Sequence, residues 1–306
     1  MALRVGVIGV GYLGRHHARI YAGLEDADLV AVADGDAARA DEMAGMYHCR
    51  AFQRYADILP LCDAVSIVTP TTTHYRVAMD CLAAGKDILI EKPITENLAE
   101  AKEIVETAGR KGLILQVGHL ERYNPGIVAA ADMIERPWFI ESERLSPFLG
   151  RGIDVDVTLD LMIHDIDIVI GLVQSRLIDI RAVGACVITE KIDVAKAWLE
   201  FENGCRALIT ASRLAPEKKR ELKVFQKDSF ISIDYQNQEV RRYFKTGTEI
   251  AFDLIKPESR EPLKEELTDF VRCVRERRRP KVSGAEAMDA LDVALRISAL
   301  LNSGKT

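Results

Sequence analysis

The segment Val5-Gly6-Val7-Ile8-Gly9-Val10-Gly11-Tyr12-Leu13-Gly14 decides the fold of the first part of this 306-residue chain. Its apolar first half is typical of a buried strand, and its second half has the spacing G-x-G-x-x-G at the start of a helix. In that pattern the first glycine permits a tight turn, the second lets backbone approach a pyrophosphate, and the third lets the helix pack on the strand. The helix N-terminus offers N–H groups and a positive dipole end to phosphates. The segment therefore predicts a dinucleotide-binding βα unit.

Asp34 supports this interpretation because it ends the next predicted strand, 20 residues after Gly14. A carboxylate at that place accepts hydrogen bonds from the adenosine ribose hydroxyls. The 2′-phosphate of NADP would lie within several ångströms of it. Like charges about 4 Å apart repel by roughly 4 kcal/mol near a protein surface, on the order of a thousandfold in affinity. Arg39, a turn further on, is expected to be solvated, and the sequence predicts NAD as the cofactor.

The pattern of secondary structure changes after residue 120. Up to that point short apolar runs alternate with helical stretches, which predicts a parallel sheet with helices on both faces. Between residues 177 and 244, strand-like segments follow one another without helices, which predicts a largely antiparallel sheet in a domain of α+β type. The predicted fold class is α/β, with domains at 1–120 and 121–306. The last helix, at 284–302, is expected either to stay with the second domain or to pack back on the first.

Two further strand ends supply candidate residues, because the carboxyl ends of parallel strands face the ligand crevice. Thr69 and Pro70 follow one strand, and His74 next to them is explained equally well by packing or capping as by cofactor contact. Glu91-Lys92-Pro93 follows another strand, and Lys92 would place a positive charge where an alkoxide develops during hydride transfer. The predicted cofactor-binding residues are Gly9, Gly11, Tyr12, Leu13, Gly14, Asp34, Thr69, Pro70, His74, Glu91 and Lys92.

A predicted apolar helix over residues 156–173 carries the second chemical signal. At 100° per residue its polar positions fall in a sector of roughly 80°, with Asp165 pointing the opposite way. The stripe consists of Asp156, Asp160, His164, Asp167 and Gly171. Buried carboxylates and imidazole are costly unless paired, so the stripe is either a set of satisfied core groups or an acid–base site. In the second case His164 titrates near neutral pH and Asp160, one turn earlier, orients it.

Composition and charge argue against several other classes of protein. The chain is 48% hydrophobic and 29% charged with a net charge of -6, which is typical of a globular protein without a positive field for nucleic acid. Six cysteines without a C-x-x-C pair fit reduced thiols, and no H-E-x-x-H spacing occurs, so no metal site is predicted. No apolar run is long enough to cross a bilayer, and the strand pattern that begins by Leu3 leaves no signal peptide. We expect a cytoplasmic protein with no nucleic-acid or membrane partner.

The chain resembles the Gfo/Idh/MocA oxidoreductase family in three motifs that occur in order: V-G-V-I-G-V-G-Y-L-G, E-K-P at 91–93, and D-x-x-x-H at 160–164. The resemblance spans essentially the whole chain. It implies an N-terminal Rossmann domain and a C-terminal domain with a large open sheet, whose exposed face often mediates homodimers or homotetramers. It also implies Lys92, Asp160 and His164 as the catalytic set. Met162 stands where the family commonly has glycine, which bears on local packing and not on the chemistry.

Within the family, residues 118–125 and 154–167 are similar to UDP-N-acetylglucosamine 3-dehydrogenases of lipopolysaccharide and lipid A sugar biosynthesis. This similarity implies a sugar-nucleotide substrate that is oxidised at C3 by NAD to a 3-keto product. The residues expected to contact it are Arg122, Tyr123, Asn124, Asp160 and His164. The first three fit an interdomain turn equally well, with Asn124 capping the next helix.

Three questions stay open at this point. Either Lys92 or His164 is the proton acceptor, since the sequence does not order their proton affinities. The substrate is either a sugar nucleotide or a free polyol or sugar, such as inositol. A third reading is a non-catalytic NAD-binding sensor, which would have no need of the lysine and the histidine.

Overall fold

The computed structural model describes residues 1–148, 150 and 155–303. Its strands are β1 (Leu3–Ile8), β2 (Ala27–Ala33), β3 (Arg50–Phe52), β4 (Ala64–Ile67), β5 (Asp87–Glu91), β6 (Leu115–Gly118), β7 (Pro137–Leu145), β8 (Leu177–Ala185), β9 (Val194–Phe201), β10 (Arg206–Ser212), β11 (Lys219–Gln226), β12 (Ser229–Asp234), β13 (Glu239–Thr246) and β14 (Glu249–Ile255). Its α-helices are α1 (Gly14–Ala22), α2 (Ala37–Tyr47), α3 (Thr71–Ala83), α4 (Leu98–Lys111), α5 (Pro125–Ala131), α6 (Ile163–Val173), α7 (Pro262–Glu276) and α8 (Gly284–Ser303).

The first sheet has six strands in the order β3-β2-β1-β4-β5-β6, and every pairing in it is parallel. Its central strands are buried on both faces, as the near-continuous apolar runs of β1 and β4 require. The strand order reverses between β1 and β4, and a crevice for ligands opens outside the carboxyl ends of the strands at such a point. The prediction of a parallel, Rossmann-type sheet is confirmed.

The chain forms two compact units whose composition differs from the predicted domains. One unit contains Met1–Leu120 together with Glu261–Met288, and the other contains Glu121–Arg260 and Asp289–Thr306. The change after residue 120 coincides with the predicted boundary, but residues 261–288 were assigned to the second domain and belong with the first. The reason is the apolar face of α7, since Leu267 and Phe270 are completely buried in the core of the first unit.

The segment after α7 also belongs to the first unit. The Val117 N–H donates to the Val282 carbonyl at 3.1 Å, and Gln116 and Ser283 form an isolated antiparallel bridge. These contacts extend the edge of β6. Helix α8 was assigned to the second domain, with packing on the first as an alternative, and its residues divide: the first group with the first unit and the remainder, from Asp289, with the second.

The second sheet has eight strands in the order β14-β13-β12-β11-β7-β10-β9-β8. Only the pairing of β7 with β10 is parallel among the described strands of this sheet, so the predicted large and mostly antiparallel sheet is confirmed. Its inward-facing side chains form one core with α5, α6 and the later part of α8. Ile140, Ile209 and Leu222 are completely buried there.

The opposite face of the second sheet carries a row of aromatic side chains, which we call the aromatic row. Neighbouring rings lie with centroids 4.8 to 5.9 Å apart along it. Its members are Phe139, Trp198, Phe225, Phe230, Tyr243 and Phe252. Tyr243 and Phe252 are exposed and the other four are half-buried, so none of the described helices covers this face of the sheet.

Candidate functional site

The glycine turn after β1 has the geometry that the motif predicts. Gly9 has a φ of 87°, and a Cβ added to it would lie 2.7 Å from the Val68 carbonyl oxygen. A Cβ on Gly14 would overlap the Gly9 carbonyl oxygen. Both positions therefore require glycine, and α1 begins at Gly14 close against the turn. The turn therefore lies directly at the N-terminal end of α1, where the positive end of the helix dipole favours a phosphate.

Asp34 lies at the carboxyl end of β2 and reaches back to the glycine turn. Its Oδ2 accepts from the Val10 N–H at 2.9 Å, and its Oδ1 accepts from the Asp36 N–H at 2.9 Å. Its side chain is 11% exposed, so the carboxylate is fixed by backbone donors while keeping an open edge. A carboxylate can accept about four hydrogen bonds, and this one can still receive ribose hydroxyls.

A cavity of about 560 Å³ opens over the glycine turn. Among the predicted cofactor residues, its lining includes Gly9, Gly11, Asp34, Thr69 and Pro70. The size and the mixture of backbone and polar groups fit the adenosine and pyrophosphate of a dinucleotide. Leu13 is half-buried just before α1, and Tyr12 is 65% exposed with its ring 5.0 Å from the Arg15 guanidinium carbon.

Arg39, which was expected to be solvated, is 52% exposed and also lines this cavity. Its NH1 lies 3.7 Å from Asp34 Oδ2, and its Nε donates to Asp36 Oδ2 at 3.1 Å. Asp36 caps α2 by accepting from the backbone N–H groups of Ala38 and Arg39. The cap therefore also directs the guanidinium towards Asp34. Sequence spacing alone did not indicate this, because an arginine on a first helical turn has several rotamers that point into water.

His74 has a packing role in the structure. Its ring is buried, with Nε2 2.9 Å from the Thr69 carbonyl oxygen and Nδ1 3.0 Å from that of Pro93. Burial lowers its pKa, partly offset by these two carbonyl contacts. The side chain therefore ties together the segments that follow β4 and β5. Of the two alternatives left open, the structure favours packing over direct cofactor contact.

Glu91, which the sequence analysis predicted to bind the cofactor, has an internal side chain. It is 5% exposed, and its Oε1 lies 3.1 Å from Nε2 of His17 on α1. A Cβ on Gly118 would lie 2.8 Å from the Glu91 carboxylate, so β6 needs glycine at that point. Lys92 comes next along the chain and is half-buried. The glutamate therefore anchors the end of β5, and the lysine is the more exposed of the two side chains.

The predicted helix over 156–173 is not a regular α-helix. Thr158–Met162 form a π-helical turn, and α6 begins at Ile163. A π-turn contains more residues per turn than an α-helix, so a step of 100° per residue does not hold through it and the predicted single stripe is wrong. Asp160 lies within the π-turn and His164 is the second residue of α6, and both are half-buried. Such single π-turns occur frequently at functional sites.

Asp165 forms an ion cluster that the sequence analysis did not predict. The Arg144 Nε donates to Asp165 Oδ2 at 2.5 Å, and Arg144 NH1 donates to Glu121 Oε1 at 2.9 Å. Ser142 donates to Asp165 at 2.6 Å, and Arg220 lies 3.3 Å from Glu121. Burial raises the pKa of Glu121, but the two guanidinium groups more than offset this and hold the pKa below its ordinary value. We call these five residues the Arg144 cluster.

The predicted substrate residues 122–124 are mostly held inside the second unit. Asn124 is buried and caps α5 by accepting from the Gly126 N–H at 3.0 Å, and Tyr123 is buried. Arg122 lies across α6, with NH1 donating to the Asp167 carbonyl at 3.2 Å. A Cβ on Gly171 would overlap the Arg122 guanidinium. The capping alternative is therefore correct for Asn124, while the Arg122 side chain keeps 18% of its surface exposed.

Three further observations limit the chemistry of the described residues. They contain no group of three or more histidine, cysteine or acidic side chains that could hold a metal ion. None of their helices has the length and apolarity that a bilayer span requires. All six cysteines are free thiols. Asp154, at the start of one stretch singled out in the sequence, lies outside the described residues.

Two family models match the sequence. A model described as an oxidoreductase family with an NAD-binding Rossmann fold matches residues 3–119. A model described as the GFO/IDH/MocA C-terminal domain matches residues 133–231. The glycine turn, Asp34 and Lys92 lie in the first match, and His164 lies in the second.

Individual proteins match along the whole chain. A UDP-N-acetylglucosamine 3-dehydrogenase of Acidithiobacillus ferrooxidans is 39% identical over 305 residues, covering 96% of this chain and 96% of the relative. A solved structure of that enzyme has a TM-score of 0.94 at 37% identity and covers 99% of both chains. A scyllo-inositol 2-dehydrogenase (NAD(+)) of Bacillus subtilis is 28% identical over 333 residues, covering 99% of this chain and 95% of the relative.

Proposed function

We propose that this chain, which belongs to the Gfo/Idh/MocA oxidoreductase family and is an NAD-dependent dehydrogenase of CH–OH groups, oxidises the C3 hydroxyl of UDP-N-acetylglucosamine. The observation that carries this substrate is the 39% identity to a UDP-N-acetylglucosamine 3-dehydrogenase over 96% of both chains. The product is a 3-keto sugar nucleotide, which is ready for amination in lipid A sugar biosynthesis.

The proposed reaction uses three side chains. NAD⁺, when bound over the glycine turn, supplies the acceptor for the hydride from C3. His164 removes the hydroxyl proton, so that the C3–H bond breaks as the C3–O double bond forms. Asp160 orients the imidazole, and the ammonium of Lys92 stabilises the alkoxide that develops. The π-turn that carries Asp160 and the strand end that carries Lys92 support these roles.

A second candidate substrate is a free polyol such as inositol, which the 28% identity to a scyllo-inositol 2-dehydrogenase over 99% of this chain favours. The two substrates require the same chemistry at the hydroxyl and differ in the rest of the molecule. The test is NAD⁺ reduction, followed at the absorbance of NADH, with UDP-N-acetylglucosamine, N-acetylglucosamine, myo-inositol and scyllo-inositol. We expect kcat/KM to be at least about a hundredfold higher for the sugar nucleotide, because remote binding energy raises the rate at the reacting centre. Equal or better turnover of an inositol would overturn the proposal.

We also propose a homodimer or homotetramer that covers the aromatic row, in the cytoplasm. Exposed apolar area on one face of a sheet is a common site of association, and the row includes the exposed Tyr243 and Phe252. The six free thiols fit a reducing compartment. Light scattering on the purified protein checks the assembly, and a monomer at micromolar concentration would contradict it.

A further inference from the structure

Arg39 lies in the cavity over the glycine turn, at the place where the adenosine end of a dinucleotide would bind. Its NH1 is 3.7 Å from Asp34 Oδ2, and a Cβ added to Gly11 would lie 3.6 Å from the same nitrogen. The guanidinium therefore sits between the carboxylate and the second glycine of the turn. It is one of the side chains that line the cavity.

The orientation of Arg39 is fixed by its neighbours. The Nε–H donates to Asp36 at 3.1 Å, and Asp36 is itself held as the cap of α2. A guanidinium has five N–H groups, so this hydrogen bond leaves the four on its terminal nitrogens for other acceptors. The side chain is 52% exposed, so an anion can reach it without displacing protein atoms.

The charges in this cavity are therefore mixed. Asp34 alone would repel the 2′-phosphate of NADP by roughly a thousandfold in affinity, through the like-charge repulsion of groups about 4 Å apart. A guanidinium beside the carboxylate attracts the same phosphate, and planar two-point pairing with phosphate is a geometry that arginine favours. The repulsion by Asp34 and the attraction by Arg39 therefore both act on the 2′-phosphate of NADP.

We propose that Arg39 gives this enzyme a second cofactor, NADP, which pairs its 2′-phosphate with the guanidinium while Asp34 keeps NAD preferred. Asp34 accepts the ribose hydroxyls of NAD, and Arg39 carries most of the affinity for NADP. The preference for NAD is then about tenfold to a hundredfold, in place of the roughly thousandfold that a lone carboxylate would impose.

The test measures the dissociation constants of NADH and NADPH by fluorescence titration of the full-length protein, without sugar substrate. Because no substrate is present, the result does not depend on the proposed function. In Arg39→Leu we expect the affinity for NADPH to fall at least tenfold and that for NADH to change less than threefold, since charge pairing with the phosphate is lost. A wild-type preference above a thousandfold, or equal losses for both cofactors in Arg39→Leu, would overturn the proposal.

Arg4→Leu is a matched control. The Arg4 guanidinium is also 52% exposed and pairs with an aspartate, Asp63, at 2.5 Å. It lies at the amino end of β1, whereas the glycine turn follows the carboxyl end. This variant removes the same charge from the same unit, and we expect both dissociation constants to stay at the wild-type values. A loss of NADPH affinity equal to that of Arg39→Leu would mean that net charge, and not the cavity, decides the preference.

Asp34→Asn sharpens the test. Removing the negative charge while Arg39 remains is expected to reverse the preference, so that NADPH binds more tightly than NADH. The double variant Asp34→Asn with Arg39→Leu is expected to lose the gain in NADPH affinity that Asp34→Asn brings. If NADPH binds equally well to the single and the double variant, Arg39 has no part in the recognition and the proposal is wrong.

Discussion

The glycine turn and helix α6 differ in how their shape is specified. The turn is built from backbone within residues 9–14 and is fixed by one distant side chain, Asp34, through a hydrogen bond to the Val10 N–H. Helix α6 is held by side chains that lie far away along the chain. Arg144 on β7 donates to Asp165 of the helix and to Glu121. The comparison teaches that a backbone site can be recognised in a short motif, whereas a site held by long-range ion pairs cannot.

The largest expected effect concerns the Arg144 cluster. In Arg144→Met, Glu121 and Asp165 lose their buried partner, and breaking a buried pair in this way costs about 3–5 kcal/mol. We expect the free energy of unfolding, measured in urea at pH 7, to fall by that amount. Affinity for NADH should stay unchanged in the protein that remains folded, because the glycine turn does not depend on this cluster. A loss below about 1 kcal/mol would show that the cluster is not what holds α6.

A pH series distinguishes loss of charge pairing from loss of packing in the same variant. Burial raises the pKa of Glu121, but Arg144 and Arg220 bring it below its ordinary value in the folded protein. Its contribution to stability is therefore complete above the unfolded-state pKa of about 4.3 and is lost as pH falls through the lower, folded value. The difference between wild type and Arg144→Met should shrink below about pH 4. A difference that is constant down to pH 3 would indicate packing alone.

The next effect separates cofactor binding from chemistry. Lys92→Ala and His164→Ala are each expected to lower kcat about a hundredfold or more, because in the proposed reaction each group acts as the proton and hydride leave. The dissociation constant of NADH should change less than threefold. Lys111→Ala is the control, since Lys111 is the last residue of α4 and its amine donates to the Leu82 and Ala83 carbonyls at the end of α3. Near-normal turnover in both variants would remove Lys92 and His164 from the mechanism.

The smallest effect is expected for Gly171→Ala. Alanine favours a helix over glycine by about 0.8–1.0 kcal/mol, and displacing Arg122 from the Asp167 carbonyl costs about 0.5–1.5 kcal/mol, so the two nearly cancel. We expect a change in unfolding free energy within about 1 kcal/mol and a several-fold increase in KM for the sugar nucleotide. In Gly109→Ala, on α4, the new Cβ meets no atom within 4 Å, so that variant should gain stability and keep its KM. An unchanged KM in Gly171→Ala would show that Arg122 does not contact substrate.

The cofactor half of the candidate site could be predicted because its determinants are local. Gly9, Gly14 and Asp34 lie where the motif places them, and the parallel sheet follows from the alternation of strands and helices. Arg39 could not be placed, because its direction depends on the hydrogen bond to Asp36. The burial of the Glu91 side chain could not be predicted, because the sequence does not show that His17 and Gly118 form a buried recess for it.

The sequence predicted the type of fold of the second unit but not all of its strands and helices. Strands β8 to β13 were expected from successive strand-like segments and α5 was one of two alternatives for the residues after Asn124, whereas β7 and β14 were not predicted. The π-turn at Thr158–Met162 was missed because apolar periodicity assumes one helical step throughout. Asp165 was expected to point away from the polar stripe, and its partner Arg144 lies 21 residues earlier, beyond the range of any helical spacing.

The return of α7 to the first unit has a consequence for synthesis of the chain. Leu267 and Phe270 are completely buried in a core whose other members come from the first 120 residues and from α7 itself. A ribosome adds about 5–20 residues each second, so roughly 7 to 30 seconds pass between the emergence of β6 and that of α7. During that interval the nascent dinucleotide-binding sheet carries an uncovered apolar surface. This surface would be a natural point of engagement for a chaperone.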